Sequence, residues 1–198
     1  MPARLRSTPA RPTPARAAVP LVAAAVALAL AGCTGGPEEP VDPAPTVTTP
    51  ALASTPLEVP CAGLVDPAAV AATWPGLAVT DGPGSGAAAT GVADVAVVGD
   101  LDGTVCSYAD ASGVVVTVAV AELDEDSLTR VANRLVGDSQ AVPTYGVEGY
   151  FDRVDDRGTA EAVASPYWVV ATSEGFAEPG DAEQVVAAAL ATLTTDRP

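Results

Sequence analysis

The side chains able to carry chemistry in this sequence are three Cys, nine Arg and 25 Asp and Glu; there is no His and no Lys. That inventory removes most mechanisms before any fold is considered. A Ser-His-Asp arrangement needs a base that titrates near neutrality, and Ser-Lys chemistry needs a lysine. No Gly-x-Ser-x-Gly elbow occurs. Zinc lacks its usual imidazole and free thiolate ligands. Paired carboxylates remain, and these can run glycoside hydrolysis. The dense pairs are Asp155-Asp156 and Glu122 with Asp124 to Asp126. They fall in an expected turn and at an expected helix start, where solvated acids are ordinary and the helix dipole favours them.

Cys33 has a different chemistry. It closes the run Leu30-Ala31-Gly32-Cys33, after an apolar stretch from Val19 to Ala31 and a basic segment carrying Arg4, Arg6, Arg11 and Arg16. A basic region, a short apolar region and small residues before a cut site make an export signal. The apolar run is too short to span a membrane as a helix, which takes about 20 residues. The ending looks like a lipobox, so residues 1–32 are expected to be a lipoprotein signal peptide. Cys33 is then the lipidated N-terminus, anchored at the extracytoplasmic face of the cell membrane. Cys61 and Cys106 are the other two cysteines, and a pair in an exported domain reads as one disulfide.

Three weaker signals complete the search. Asp100-Leu101-Asp102-Gly103 alternates carboxylates as calcium loops do, but Thr104 and Ala111 stand where an EF-hand loop needs ligands. Gly82-Pro83-Gly84-Ser85-Gly86 superficially matches a dinucleotide loop, yet Thr90-Gly91 ends any helix that would follow. Tyr145 lies near a glycine-rich loop and is the candidate partner contact, since tyrosine joins apolar area to a polar tip. Phe151 or Tyr150 is assigned to the core. No cofactor and no metal site is expected.

Positioning these residues requires a tether and a single domain. Residues 33–56 hold the lipid-bearing Cys33 and a Pro-rich segment, with Pro37, Pro40, Pro43, Pro45, Pro50 and Pro56 and no aromatic residue. Such a composition cannot build a core and reads as a disordered linker. Residues 57–198 make one domain with an unusual core: no Ile, two Phe and many Val and Ala. Asp66-Pro67 predicts a helix start, with the helix running to about Trp74. Val92 to Val98 predicts a strand. Thr104 to Ala109 and Val114 to Ala121 predict a hairpin through Asp110-Ala111-Ser112-Gly113. Leu128, Val131, Ala132 and Leu135 recur at helical spacing after Asp126. Gly149 to Val154 and Thr159 to Ala164 flank a turn at 155–158, and Tyr167 to Ser173 follows. A last helix begins at Asp181, with Gln184 at the capping-box position and Val185, Val186, Ala189, Leu190 and Leu193 facing inward. The expected class is α+β: an antiparallel sheet with about three helices packed against it and one disulfide.

Pro60-Cys61-Ala62-Gly63-Leu64-Val65-Asp66-Pro67, then Cys106-Ser107-Tyr108, then Val142-Pro143 with Gly146, resembles a domain-of-unknown-function family of actinobacterial cell-surface lipoproteins. The resemblance covers most of residues 60 to 194. It implies an envelope location, an α+β fold and pairing of the cysteine before the first helix with that of the Cys-Ser-aromatic strand. It carries no activity. This chain departs from the pattern at Thr144-Tyr145-Gly146-Val147, where the family has Gly-Leu-Gly-Asp.

Charge narrows the partners. Removing the four leader arginines leaves five Arg against 25 Asp and Glu, a net −20. Such a surface repels nucleic acid, anionic phospholipid and wall phosphates. The leading expectation is a non-enzymatic binding or accessory module held at the membrane through the lipid on Cys33, with an unknown envelope protein or ligand as partner. A carrier of lipid or another hydrophobic ligand is the alternative, and a carboxylate hydrolase comes third.

Overall fold

The structure, a computed structural model, describes residues 50–81 and 91–195. The leader, Cys33, most of the expected linker and the glycine-rich run from Gly82 lie outside the described residues. One antiparallel sheet organises the domain. Its strands are β1 (Ser54–Thr55), β2 (Ala78–Asp81), β3 (Thr104–Ala109), β4 (Val115–Leu123), β5 (Gln140–Ala141), β6 (Glu148–Val154), β7 (Arg157–Ala164) and β8 (Tyr167–Ser173). Across the sheet the order is β2-β3-β4-β8-β7-β6-β5, with β1 joined to β4. The helices are α1 (Cys61–Leu64), α2 (Pro67–Val70), α3 (Ala93–Asp100), α4 (Glu125–Asp138) and α5 (Pro179–Thr195). The class is α+β.

Alternation along the strands divides the core into two clusters. Cys106, Tyr108, Val116, Val118, Val120, Ala160, Ala162 and Phe151 pack beneath α1, α2 and α5. The intervening residues Val105, Ala119, Ala121, Trp168, Val170 and Tyr150 pack against Val95 and Val98 of α3 and Leu128, Val131 and Leu135 of α4. Helices therefore cover both faces, and the central strands lose the apolar–polar alternation of a one-sided sheet. Small Ala side chains on β4, β7 and β8 let the helices approach closely. Gly103, in the turn after α3, sits close on β4: a Cβ there would lie 2.5 Å from the Val120 carbonyl oxygen.

Local chemistry sets the ends of the elements. Asp66 Oδ1 accepts from Ala68 N at 2.9 Å, with Pro67 at the first helical position. Asp110 Oδ1 accepts from Ser112 Oγ, Ser112 N and Val114 N at 2.7, 2.8 and 2.9 Å, closing the β3–β4 turn. Those donors, the Ser112 hydroxyl first, hold its carboxyl below the usual range. Helix α4 is capped by Asp124, whose Oδ1 accepts from Ser127 N at 2.7 Å; Asp126, the expected start, sits in its first turn. Helix α5 starts at Pro179 rather than Asp181. Asp181 reaches back to accept from Ala177 N and Glu178 N, both at 2.9 Å, so it does the work expected of Gln184.

Three further expectations change. Val92 to Val98 is not a strand: Ala93–Asp100 is helix, with Val95 and Val98 three residues apart on its buried face. The run from Val92 to Val98 has Asp94 as its one polar residue, too few to reveal its phase, and packing on the sheet decides the outcome. The β6–β7 turn is two residues, because Val154 pairs with Arg157, and Asp155 takes the left-handed φ of 53° that it needs. The expected linker to Pro56 is bound to the domain over its last residues. Arg130 donates to the Pro50 and Ala51 carbonyls, Ala53 N donates to Ser127 Oγ, and β1 pairs with Glu122 and Leu123.

Just beyond this strap, Cys61 at the start of α1 is bonded to Cys106 in β3, with a Cα–Cα distance of 5.4 Å. The cross-link spans 45 residues of chain. On the chain-entropy model its reduction should lower unfolding stability by about 4 kcal/mol. Urea unfolding with and without reductant measures this; matching midpoints would contradict it.

Candidate functional site

Strand β7 reads Thr159-Ala160-Glu161-Ala162-Val163-Ala164, and alternation puts Glu161 on the face covered by α3 and α4. In register it lies between Tyr150 of β6 and Val170 of β8. Its side chain is 7% exposed. Three elements supply its partners. Trp168 on β8 donates its indole N–H to Glu161 Oε2 at 2.9 Å. Arg134 on α4 brings Nη2 to 3.6 Å from the same oxygen. That guanidinium is already forked onto Asp94 in the first turn of α3, with contacts of 2.9 and 3.3 Å. Its carbon lies 5.7 Å from the centre of the Trp168 ring, within cation–π reach.

Two carboxylates thus share one guanidinium, and a third, Asp152, lies on the neighbouring strand. Burial pushes the Glu161 carboxyl up to about 7; Asp94 and Asp152 add to the rise, while Arg134 and the Trp168 hydrogen bond oppose it. Loss of hydration outweighs a cation that is itself 39% exposed.

Glu161 forms part of the wall of a surface cleft of about 500 Å³. Carboxylates from α3 (Asp94), α4 (Asp138), β6 (Asp152), the hairpin turn (Asp155 and Asp156) and the end of β8 (Glu174) line it, against only Arg134 and Arg157. Arg157 is held by Glu174 at 2.8 Å. Hydroxyls continue the polar surface across the sheet. Ser107, Thr117, Thr172, Thr159 and Asp152 are cross-strand partners in one row over five strands. Thr159 and Thr172 share a hydrogen bond of 3.2 Å, and Thr172 also donates to the Gly158 carbonyl at 3.0 Å.

The residues singled out by sequence fall in different places. Asp155 and Asp156 reach the cleft. Asp124, Glu125 and Asp126 begin α4, and Asp100 to Gly103 form the turn out of α3. Cys61 and Cys106 are bonded to each other, away from this face. Tyr145 requires a correction: it is 5% exposed and belongs to the core. It stands in a 3-10 turn at Pro143–Tyr145, its hydroxyl donates to the Pro179 carbonyl at 3.0 Å, and a Cβ on Gly149 would lie 2.6 Å from its ring. A side chain enclosed in this way joins the turn to α5 and offers no surface to a partner. Tyr150 and Phe151 are both buried, as expected of core residues.

Glu161, Arg134, Asp94 and Trp168 were not found by motif, because no spacing links them. One signal was present: a lone acid in a strand of small residues, in phase with Val163. Among the described residues no group of three His, Cys, Asp or Glu converges to hold a metal ion, and no helix is long and apolar enough to cross a membrane. No family model, curated protein or solved structure matches the chain.

Between pH 4.5 and about 7 the folded domain holds a proton at Glu161 that the unfolded chain has released. Stability from this group therefore falls as pH rises through that window, by up to roughly 3 kcal/mol. Glu161→Gln, which keeps an acceptor for Trp168, should remove that slope and gain stability over wild type at pH 8. Parallel stability–pH curves for the two proteins would contradict the assignment.

Proposed function

We propose that this chain is a lipid-anchored extracytoplasmic lipoprotein whose folded domain is a non-enzymatic binding module for a basic segment of another envelope protein. The observation that carries the reading is the acidic cleft, where seven carboxylates meet two guanidiniums, one of them already forked onto a carboxylate. A cleft of one sign focuses its field, draws in an oppositely charged partner and sets specificity more than bulk affinity. The tether on Cys33 would hold this surface outside the membrane. Interior packing disfavours a hydrophobic carrier, which needs a roomy apolar pocket. Val185, Val186, Ala189 and Leu193 of α5 are buried against the sheet, filling the space such a ligand would take.

A second reading has one observation in its favour. A carboxyl raised to about 7 in a cleft is what a general acid requires. Glu161 serves that role poorly, since Oε2 is occupied by Trp168 and Arg134 and the side chain is almost wholly buried. The hydrolase reading therefore ranks second.

The test combines anchor and cleft in intact cells. Cys33→Ala should lose the diacylglyceryl mass and leave the membrane fraction. A photo-crosslinking residue at Asp156 should capture one basic protein, with capture reduced by Asp152→Lys and by high salt. Capture only from Ala191, on the exposed side of α5, would move the interface to the opposite face. Turnover of a glycan or ester by the purified protein, lost in Glu161→Gln, would replace the binding reading with the enzymatic one.

A further inference from the structure

Arg134 stands where two surface depressions meet. It lines the acidic cleft and also a groove of about 390 Å³ formed with Pro50 and Leu52 of the strap, Val97, Val131 and Trp168. Among the described residues it is the only basic side chain in contact with Glu161, and its firmer contact is with Asp94. One helical turn earlier, Arg130 binds the strap carbonyls. Helix α4 thus grips the strap with one arginine and the sheet with the next. Glu161 ties that second arginine to the sheet through a single oxygen, which it also shares with the Trp168 indole. With open space on both sides, the guanidinium can pivot about its Asp94 contact when this attraction is removed.

We propose that the Glu161–Arg134–Asp94 bridge is a proton-operated latch: a proton taken from solvent by Glu161 neutralises the carboxylate and releases Arg134 from it, leaving the guanidinium held by Asp94 and the face of Trp168. No covalent bond changes. The groups facing Glu161 are Asp94 from α3, Arg134 from α4, Asp152 from β6 and the neutral indole of Trp168 from β8, while Tyr150 beside it directs its hydroxyl to Glu148. Asp94 and Asp152 are both carboxylates, and both favour proton uptake; Arg134 and the Trp168 hydrogen bond oppose it. The position of Glu161, buried and outnumbered, places the switch in the range through which pH outside a cell varies. The consequence for the cleft rests on its reading as a cation-binding face. Losing one negative charge and freeing a guanidinium at its wall weakens binding in acid.

Trp168 reports the latch directly. In 5-fluorotryptophan-labelled full-length protein, the Trp168 fluorine resonance should move between pH 5 and 8 with one midpoint, while that of Trp74, on the other face, stays still. Asp94→Asn, at the rim of the cleft, should lower that midpoint by removing a like charge and freeing Arg134 for Glu161. Glu161→Gln should abolish the transition with its circular dichroism unchanged. A hexa-arginine peptide at constant salt should bind about fivefold more weakly at pH 5.5 than at pH 8, as expected for one partly exposed charge pair. A Trp168 resonance that is flat over this range, or a midpoint indifferent to Asp94→Asn, would overturn the latch. If the resonance titrates as described but the peptide fails to bind at every pH, the latch stands and the cation-binding reading of the cleft fails.

Discussion

A sheet covered by helices on both faces has no solvent side on which to place charge, and the rest of this domain is arranged around that constraint. Strands β4, β8 and β7 carry Val, Ala and Thr on one face and Val and Ala on the other, most of them fully buried. Among the described residues Glu161 is the only charged side chain in the buried set. Its presence there obliges the neighbouring elements to compensate: an indole from β8, a guanidinium from α4 and, through that guanidinium, the first turn of α3. Three of these groups, Asp94, Arg134 and Glu161, also form part of the wall of the acidic cleft. A buried charge with partial compensation is costly to keep, so its retention in an otherwise small and apolar strand is the feature that most calls for a functional account.

The cross-linked N-terminal region answers a second difficulty, the lightness of the core. With no Ile and with Ala at so many interior positions, each buried residue removes little apolar area from water. The bond from α1 to β3 compensates by restricting the unfolded chain. In the folded state, hydrogen bonds fasten the strap, where Leu57 N donates to the Asp102 carbonyl at 3.1 Å and Val59 N to Thr104 Oγ1 at 3.0 Å. The strap is thereby fastened to β4, α4 and the turn after α3 before the chain reaches Cys61.

Much of this was legible in the residues. Asp66-Pro67, the Asp110 turn and the inward stripe of α5 follow from caps, turn chemistry and helical spacing, all local rules. The strands β3, β4, β6 and β8 announce themselves by β-branched and aromatic residues between turns, and β7 by following the turn at 155–158. What local rules could not supply came from contacts distant in sequence. Val92 to Val98 has strand composition but becomes a helix because Val95 and Val98 pack on the sheet. Tyr145 looked like a loop aromatic because its partner, the Pro179 carbonyl, is 34 residues away. The cleft was the least visible, since Asp94, Arg134, Glu161 and Trp168 meet only after four elements have assembled. Only the misplaced acid in β7 hinted at it.

The central claim is that Glu161 is a buried carboxyl held near neutrality by its surroundings, and a carbon-13 titration of the side-chain carboxyl carbons reads this without perturbing the protein. With glutamate labelled at the carboxyl carbon, and the Glu161 resonance assigned by its disappearance in Glu161→Gln, the signal should titrate with a midpoint of about 7. A midpoint at the ordinary value of 4.5 would show a hydrated carboxylate, and would contradict both the burial of the group and the part it is given in the cleft.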